Sequence, residues 1–160
     1  MITAENYEVN SKTMALLYNE ATLGSIIIET EQIKYCRLTP NQIIKRSCIL
    51  KGISYEMRRE SSRRILKKSQ MLPIVMESYE KIIVFPTSSP RNDNCDWLCF
   101  NHIIDNLPNK YNKKYSIVIF SNSISQKILA ASTLIDRQLS LCGLIIARTY
   151  YSEKSHQQLP

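Results

Sequence analysis

The sequence predicts an α+β fold with a mostly antiparallel sheet assembled from hairpins. Three observations carry that prediction. Short apolar, β-branched runs come in pairs separated by a few polar residues, as hairpin strands do. Three stretches open on hydroxyl residues able to cap a helix, at Thr39, Ser54 and Ser132. The chain has 160 residues, 44% hydrophobic and 22% charged, which is enough for one core and too few for two ordinary ones. No repeat, low-complexity tract or long linker divides it. Residues 1–151 are read as a single domain and 152–160 as a polar, frayed tail.

The elements follow in order. Met14–Tyr18 and Ser25–Glu29 are short apolar runs, the second strongly β-branched. Between Gln32 and Arg37, Ile33 and Tyr35 alternate with polar neighbours, as in a half-buried strand. Thr39-Pro40-Asn41-Gln42 then starts a helix near 39–51. Thr39 caps it, Pro40 fits the first turn because the N–H it lacks would be orphaned there, and Gln42 closes a capping box. That helix buries Ile43, Ile44, Ser47 and Cys48 and stops at Gly52. The basic segment 54–68 contains no proline or glycine and fits a helix capped by Ser54. A strand or an arm that orders on a partner also fits it. With Gly52 between them, the two segments superficially resemble a helix-turn-helix.

Ile74–Met76 and Lys81–Phe85 read as a hairpin around Glu77–Glu80, Asp96–Phe100 as a further strand, and Pro86–Asn94 and Leu107–Lys114 as loops. Tyr115–Phe120 and Ser125–Leu129 make a third hairpin. A C-terminal helix near 132–150 carries Ile135, Leu139, Cys142 and Ile146 on one stripe, widened by Leu134, Leu141 and Ile145. Arg137 and Arg148, three turns apart, share its outward edge.

Composition removes several function classes. Three scattered glycines leave no P-loop or dinucleotide-binding glycine fingerprint, and two histidines leave no three-histidine metal site. No apolar run approaches the roughly 20 residues of a bilayer span. The acidic, mixed start Met1–Glu8 has no signal-peptide character. Five cysteines without framework spacing then point to reduced, buried thiols in a cytoplasm.

The formal charge is +7, which favours anionic partners, nucleic acid first. Much of it is local: Arg58, Arg59, Arg63, Arg64, Lys67 and Lys68 crowd eleven residues against the single Glu60, a local +5, with Lys45, Arg46 and Lys51 upstream. Six phosphate contacts would give a log–log salt slope of about −5 on duplex DNA. The planar fork of arginine suits phosphate oxygens and narrow minor grooves. The competing reading is a solvated charged helix face with no partner. At 100° per residue, however, the six charges spread over about 280°, which is no tidy amphipathic face.

Cys95, Cys99 and His102 have the residue types of a zinc site, with Cys36, Cys48, Cys142 or His156 as a fourth ligand. Their spacing matches no common knuckle, and buried thiols are the plainer reading. Cys99 with His102 as a nucleophilic pair would point to opposite faces of a strand. Tyr111 could stack on bases. No cofactor is implied.

Seven short motifs in order resemble the competence transcription factor (ComK) family: Tyr7-Glu8-Val9-Asn10, Arg46-Ser47-Cys48, Gly52-x-Ser54-Tyr55-x-x-Arg58, Pro73-Ile74, Phe85-Pro86-Thr87-Ser88-Ser89, Cys95-x-Trp97 and Phe120-Ser121-Asn122. The likeness is collinear from about Tyr7 to Tyr151. It implies a cytoplasmic transcriptional activator of DNA-uptake genes that is not an enzyme. Such a protein binds AT-rich promoter boxes as a homo-oligomer, works with RNA polymerase, and is held in check by a MecA-type adaptor and Clp protease. The resemblance places Arg58 in the family's basic segment after Ser-Tyr, with Met57 where the family tends to have glycine. The sequence therefore predicts DNA contact through Arg58, Arg59, Arg63, Arg64, Lys67, Lys68, Lys45 and Arg46. The chain ends short of the family's longer C-terminal region. That gives one alternative, an activation-deficient interaction protein controlled by adaptor-mediated proteolysis; the Cys95, Cys99 and His102 set gives another, a zinc- or thiol-dependent nucleic-acid enzyme.

Overall fold

The computed structural model of the chain describes residues 2–79 and 81–157. Its centre is a seven-stranded sheet made of β1 (Thr3–Ala4), β2 (Thr13–Asn19), β3 (Gly24–Glu29), β4 (Ile33–Cys36), β5 (Ile74–Glu77), β6 (Ile82–Pro86) and β7 (Trp97–Cys99), in the order β1-β4-β3-β2-β7-β6-β5. Every pairing is antiparallel except β1 with β4. A second sheet, ordered β10-β9-β8, is built from β8 (Ile103–Pro108), β9 (Ser116–Phe120) and β10 (Ser125–Ile128). Among the described residues, three α-helices, α1 (Pro40–Leu50), α2 (Tyr55–Leu66) and α3 (Ser132–Gln157), and a short 3-10 turn at Phe100–His102 complete the fold.

The central sheet is buried on both faces, because strand side chains alternate and both alternate sets are apolar. Leu16, Ile27, Val84 and Trp97 face one side, where Ile43, Ile44 and Cys48 of α1 cover them. Met14, Ala15, Ile28, Ile83, Phe85 and Leu98 face the other, against Val118, Phe120 and Ile128 of the small sheet and Ile135 and Cys142 of α3. Leu66 of α2 meets Leu72 and Ile145 in a third, smaller cluster.

The local signals hold where the chemistry is short-range. Thr39 accepts from the Gln42 N–H and the Gln42 side chain accepts from the Thr39 N–H, with Pro40 in the first turn. Gly52 ends the turn after α1 at φ +95°, a conformation that strains any L side chain. Segment 54–68 resolves as a helix: Ser54 caps α2 through the Met57 N–H, and Lys67 ends it in the left-handed region.

Three expectations differ from what is observed. β1 has no counterpart in the sequence reading, since two exposed residues carry no pattern. β8 falls partly where a loop was expected at Leu107; Asp105, Asn106 and Pro108 mask it, and a register shift between Ile103 and Asp105 breaks its alternation. α3 runs to Gln157, into the segment read as a frayed tail, because residues 150–157 hold neither proline nor glycine. The turn residue Glu80 and residues 158–160 lie outside the described residues.

Candidate nucleic-acid interface

Residues 51–54 join α1 and α2, and α2 lies beside β5 at the end of the central sheet. Tyr55 packs edge-on to Trp97, with ring centroids 6.4 Å apart. Ser62 donates to the Pro73 carbonyl at 2.6 Å, and Leu66 is buried. One narrow side of α2 is thus fixed to the body.

Arg58 belongs to that fixed side. Its Nε donates to the Ile53 carbonyl at 2.8 Å, its Nη1 to the carbonyls of Val75 (2.8 Å) and Met76 (3.0 Å), and its Nη2 to that of Cys48 at 3.5 Å. The guanidinium is committed to the fold and has little left for phosphate. This explains the 280° spread of charge, since one of the six cations points inward. Sequence reasoning had no means of seeing carbonyls delivered from β5 and the end of α1.

The other candidates divide. Arg63 makes two short bonds to Glu60, at 2.8 and 2.6 Å, and Arg64 reaches the same carboxylate at 3.4 Å. The Arg63 guanidinium beside it, more than any other group, holds the Glu60 carboxyl down at about 2. One carboxylate cannot neutralise two arginines, so both keep donors directed at solvent. Arg59 donates to the Ser69 carbonyl at 2.5 Å. Lys45 lies 5.7 Å over the Tyr55 ring. Among the described residues, no carboxylate lies within 4.0 Å of Lys45, Arg46, Arg59, Lys67 or Lys68.

Lys45 and Arg59 line one groove of about 800 Å³ between α1, α2 and the loop 87–94, together with Arg91, which sequence reasoning missed. Among the described residues, Asp93 is the single acidic one lining it. The groove exists because of Asn41. Its amide donates to the carbonyls of Pro90 (2.9 Å) and Asn92 (3.0 Å), while its Oδ1 accepts from the Trp97 indole at 2.8 Å. That clamp folds the polar loop over α1 and brings Arg91 to the basic side. Lys51, also upstream, pairs with Glu8 at 3.3 Å and Glu77 at 4.0 Å and is largely enclosed.

The metal and thiol candidates do not assemble. The Cys95 thiol donates to the Ser88 carbonyl in the loop before β7, Cys99 at the end of β7 meets Asn101 Oδ1, and both thiols are buried. The His102 imidazole is bonded to the Ser11 carbonyl and the Ser121 hydroxyl. Among the described residues no three Cys, His, Asp or Glu side chains converge on a metal position; the side chain of His156 lies outside them. Burial pushes the Cys48 and Cys99 thiols up to about 11, the wrong direction for a nucleophile at neutral pH. Among the described residues, no helix is long and apolar enough to cross a membrane.

The motifs that carry the resemblance lie mostly in the framework of the fold. Val9 donates its N–H to Ser47, Tyr7 bonds the buried Glu29 at 2.5 Å, and Asn122 donates to the Thr30 carbonyl at 2.9 Å. Most of these residues hold the sheet and its loops together. A family model described as ComK protein matches residues 4–154. The competence transcription factor of Bacillus subtilis (strain 168) is 28% identical over 158 residues, covering 98% of this chain and 80% of that protein. No solved structure matches the chain. A family match spanning nearly the whole length of the chain leads to one conclusion: the chain belongs to the ComK family.

Proposed function

We propose that this chain is a DNA-binding transcriptional activator of competence genes, acting in the cytoplasm as a homo-oligomer on AT-rich duplex and carrying no catalytic site. One observation carries the reading. Lys45, Arg59 and Arg91 line the groove against Asp93, and Arg63 and Arg64 on the exposed side of α2, which also carries Glu56, share the one carboxylate of Glu60, while Arg46, Lys67 and Lys68 are near in sequence and have no carboxylate within 4.0 Å among the described residues. Such a surface repels itself until an anion approaches, and a polyphosphate backbone supplies anions at the required density. AT preference follows if an arginine of this set enters a narrow minor groove, where A·T tracts concentrate negative potential. Contact with RNA polymerase, and turnover through a MecA-type adaptor and Clp protease, belong to the same family reading.

The test is a gel shift on AT-rich and GC-rich duplexes at two salt concentrations. The expected result is tighter binding to AT-rich DNA, weakening steeply with salt. Equal and salt-insensitive binding to both, or none to either, overturns the proposal. Changing Arg63 and Arg64 together to Ala should weaken binding to all duplexes and flatten the salt slope by about 2, one unit for each lost phosphate contact.

A further inference from the structure

A second unpaired basic surface lies far along the chain from α2. β8 and β9 are joined by Asn109–Tyr115, and this connection carries Lys110, Lys113 and Lys114, all exposed. Among the described residues no carboxylate lies within 4.0 Å of any of the three. Lys127, on the neighbouring strand β10, adds a fourth cation and sits 4.2 Å over the Tyr115 ring at the base of the turn. The tip is a shaped turn. Asn109 Oδ1 accepts from the N–H groups of Tyr111 (2.9 Å) and Asn112 (3.2 Å), and Asn112 Oδ1 accepts from Lys114 N–H at 3.0 Å. At its apex Tyr111 is 98% exposed, with no internal role for its ring. An aromatic side chain held in water among three unpaired lysines has no explanation in the fold.

We propose that this β8–β9 tip is a second duplex-contacting element. Lys110, Lys113 and Lys114 take phosphate oxygens, and the Tyr111 ring lies against the sugar edge between them. The proposal rests on the reading of the chain as a DNA-binding protein and adds a site to it. The turn is already ordered by its asparagines, so contact costs little backbone freedom. Its position relative to the groove is set by α3. Asn106 of β8 donates to the Ser132 carbonyl (2.9 Å) and to Asp136 (3.0 Å), while Gln138 donates to the carbonyls of Met71 (3.0 Å) and Pro86 (2.9 Å). Met71 lines the basic groove. The root of the hairpin and the wall of the groove therefore hang on one helix, with anchor points six residues apart, about 9 Å along its axis. That rigid link keeps the two cationic sets at a fixed separation, as simultaneous contacts on a duplex require.

The experiment measures duplex affinity against salt for three proteins: the unaltered chain, a variant with Lys110, Lys113 and Lys114 all changed to Gln, and a Tyr111→Ala variant. Each is paired with a melting curve. The triple variant is expected to keep its Tm, to bind about tenfold or more weakly at moderate salt, and to show a slope flatter by about 2.7. Tyr111→Ala is expected to lose affinity without changing the slope, since it removes no charge. If the triple variant binds with unchanged affinity and slope while Arg63→Ala with Arg64→Ala weakens binding, the tip is not a DNA contact and the proposed function stands. If the unaltered chain binds no duplex at low salt, the broader reading fails and this one falls with it.

Discussion

α1 and α2 are neighbours of almost equal length, 11 and 12 residues, both opened by a hydroxyl cap. They are held in opposite ways. α1 buries Ile43, Ile44, Ser47 and Cys48 against the central sheet, and each fully buried apolar side chain is worth about 1.5–3 kcal/mol. α2 buries only Ser62 and Leu66 and depends on polar attachments: Ser62 to Pro73, Arg58 to four carbonyls, and Arg148 of α3, which donates to Ile65 at 2.5 Å. A helix seated by hydrocarbon needs most of its circumference for packing. One seated by a few directed hydrogen bonds leaves the rest free. The contrast explains why the cations facing solvent collect on α2.

The contrast can be broken in several places. The largest effect should come from Ile44→Ala, which removes a fully buried side chain and costs about 2–5 kcal/mol. For a chain of this size each kcal/mol lowers Tm by about 2–4 °C. Next comes Arg58→Ala, expected to cost about 2–3 kcal/mol because it strips charge-assisted bonds from carbonyls that are partly enclosed. Arg58→Lys should recover less than half of that, since a single ammonium cannot span the same carbonyls. An Arg58→Ala protein that melts like the parent yet binds DNA poorly would move Arg58 from the fold to the interface.

Smaller effects test the outer side. Glu60→Gln frees both arginines, so duplex affinity should rise severalfold while the melting temperature hardly moves, as expected for a solvent-screened pair. Glu60 titrates below its ordinary value of 4.5, at about 2. Its pairing is therefore fully present above 4.5 and is lost only as pH falls through about 2. The affinity ratio between Glu60→Gln and the parent should accordingly stay flat from pH 8 to pH 5; a ratio that closes toward pH 5 contradicts the pairing. The smallest expected change is in the melting of Arg63→Ala and Arg64→Ala, which should shift by a degree or so, as solvent-facing arginines do.

Much of the fold could be read from the chain, because its signals are local. The Thr39–Gln42 capping box, the stop at Gly52 and the short apolar strands of three hairpins each depend on a few consecutive residues. The candidate site was legible only as a density of charge. Arg58 and Arg63 are identical in sequence terms and differ because strand β5, sixteen residues after Arg58, brings two carbonyls to one of them. Arg91 enters the groove through Asn41, fifty residues upstream, and no window short enough to show periodicity contains both. The seven family motifs mark core and loop anchors more than contacts, so a resemblance resting on them speaks first to architecture.

The grip of Arg58 on Val75 and Met76 has a further consequence. β5 is the outermost strand of its sheet, and the carbonyls Arg58 holds would otherwise be free to receive the backbone of another molecule. A positively charged side chain lying along that rim blocks strand-to-strand growth between copies. Loss of Arg58 should therefore show first as turbidity on concentrating or warming the protein. Any self-assembly needed on a promoter would have to use some other part of the surface.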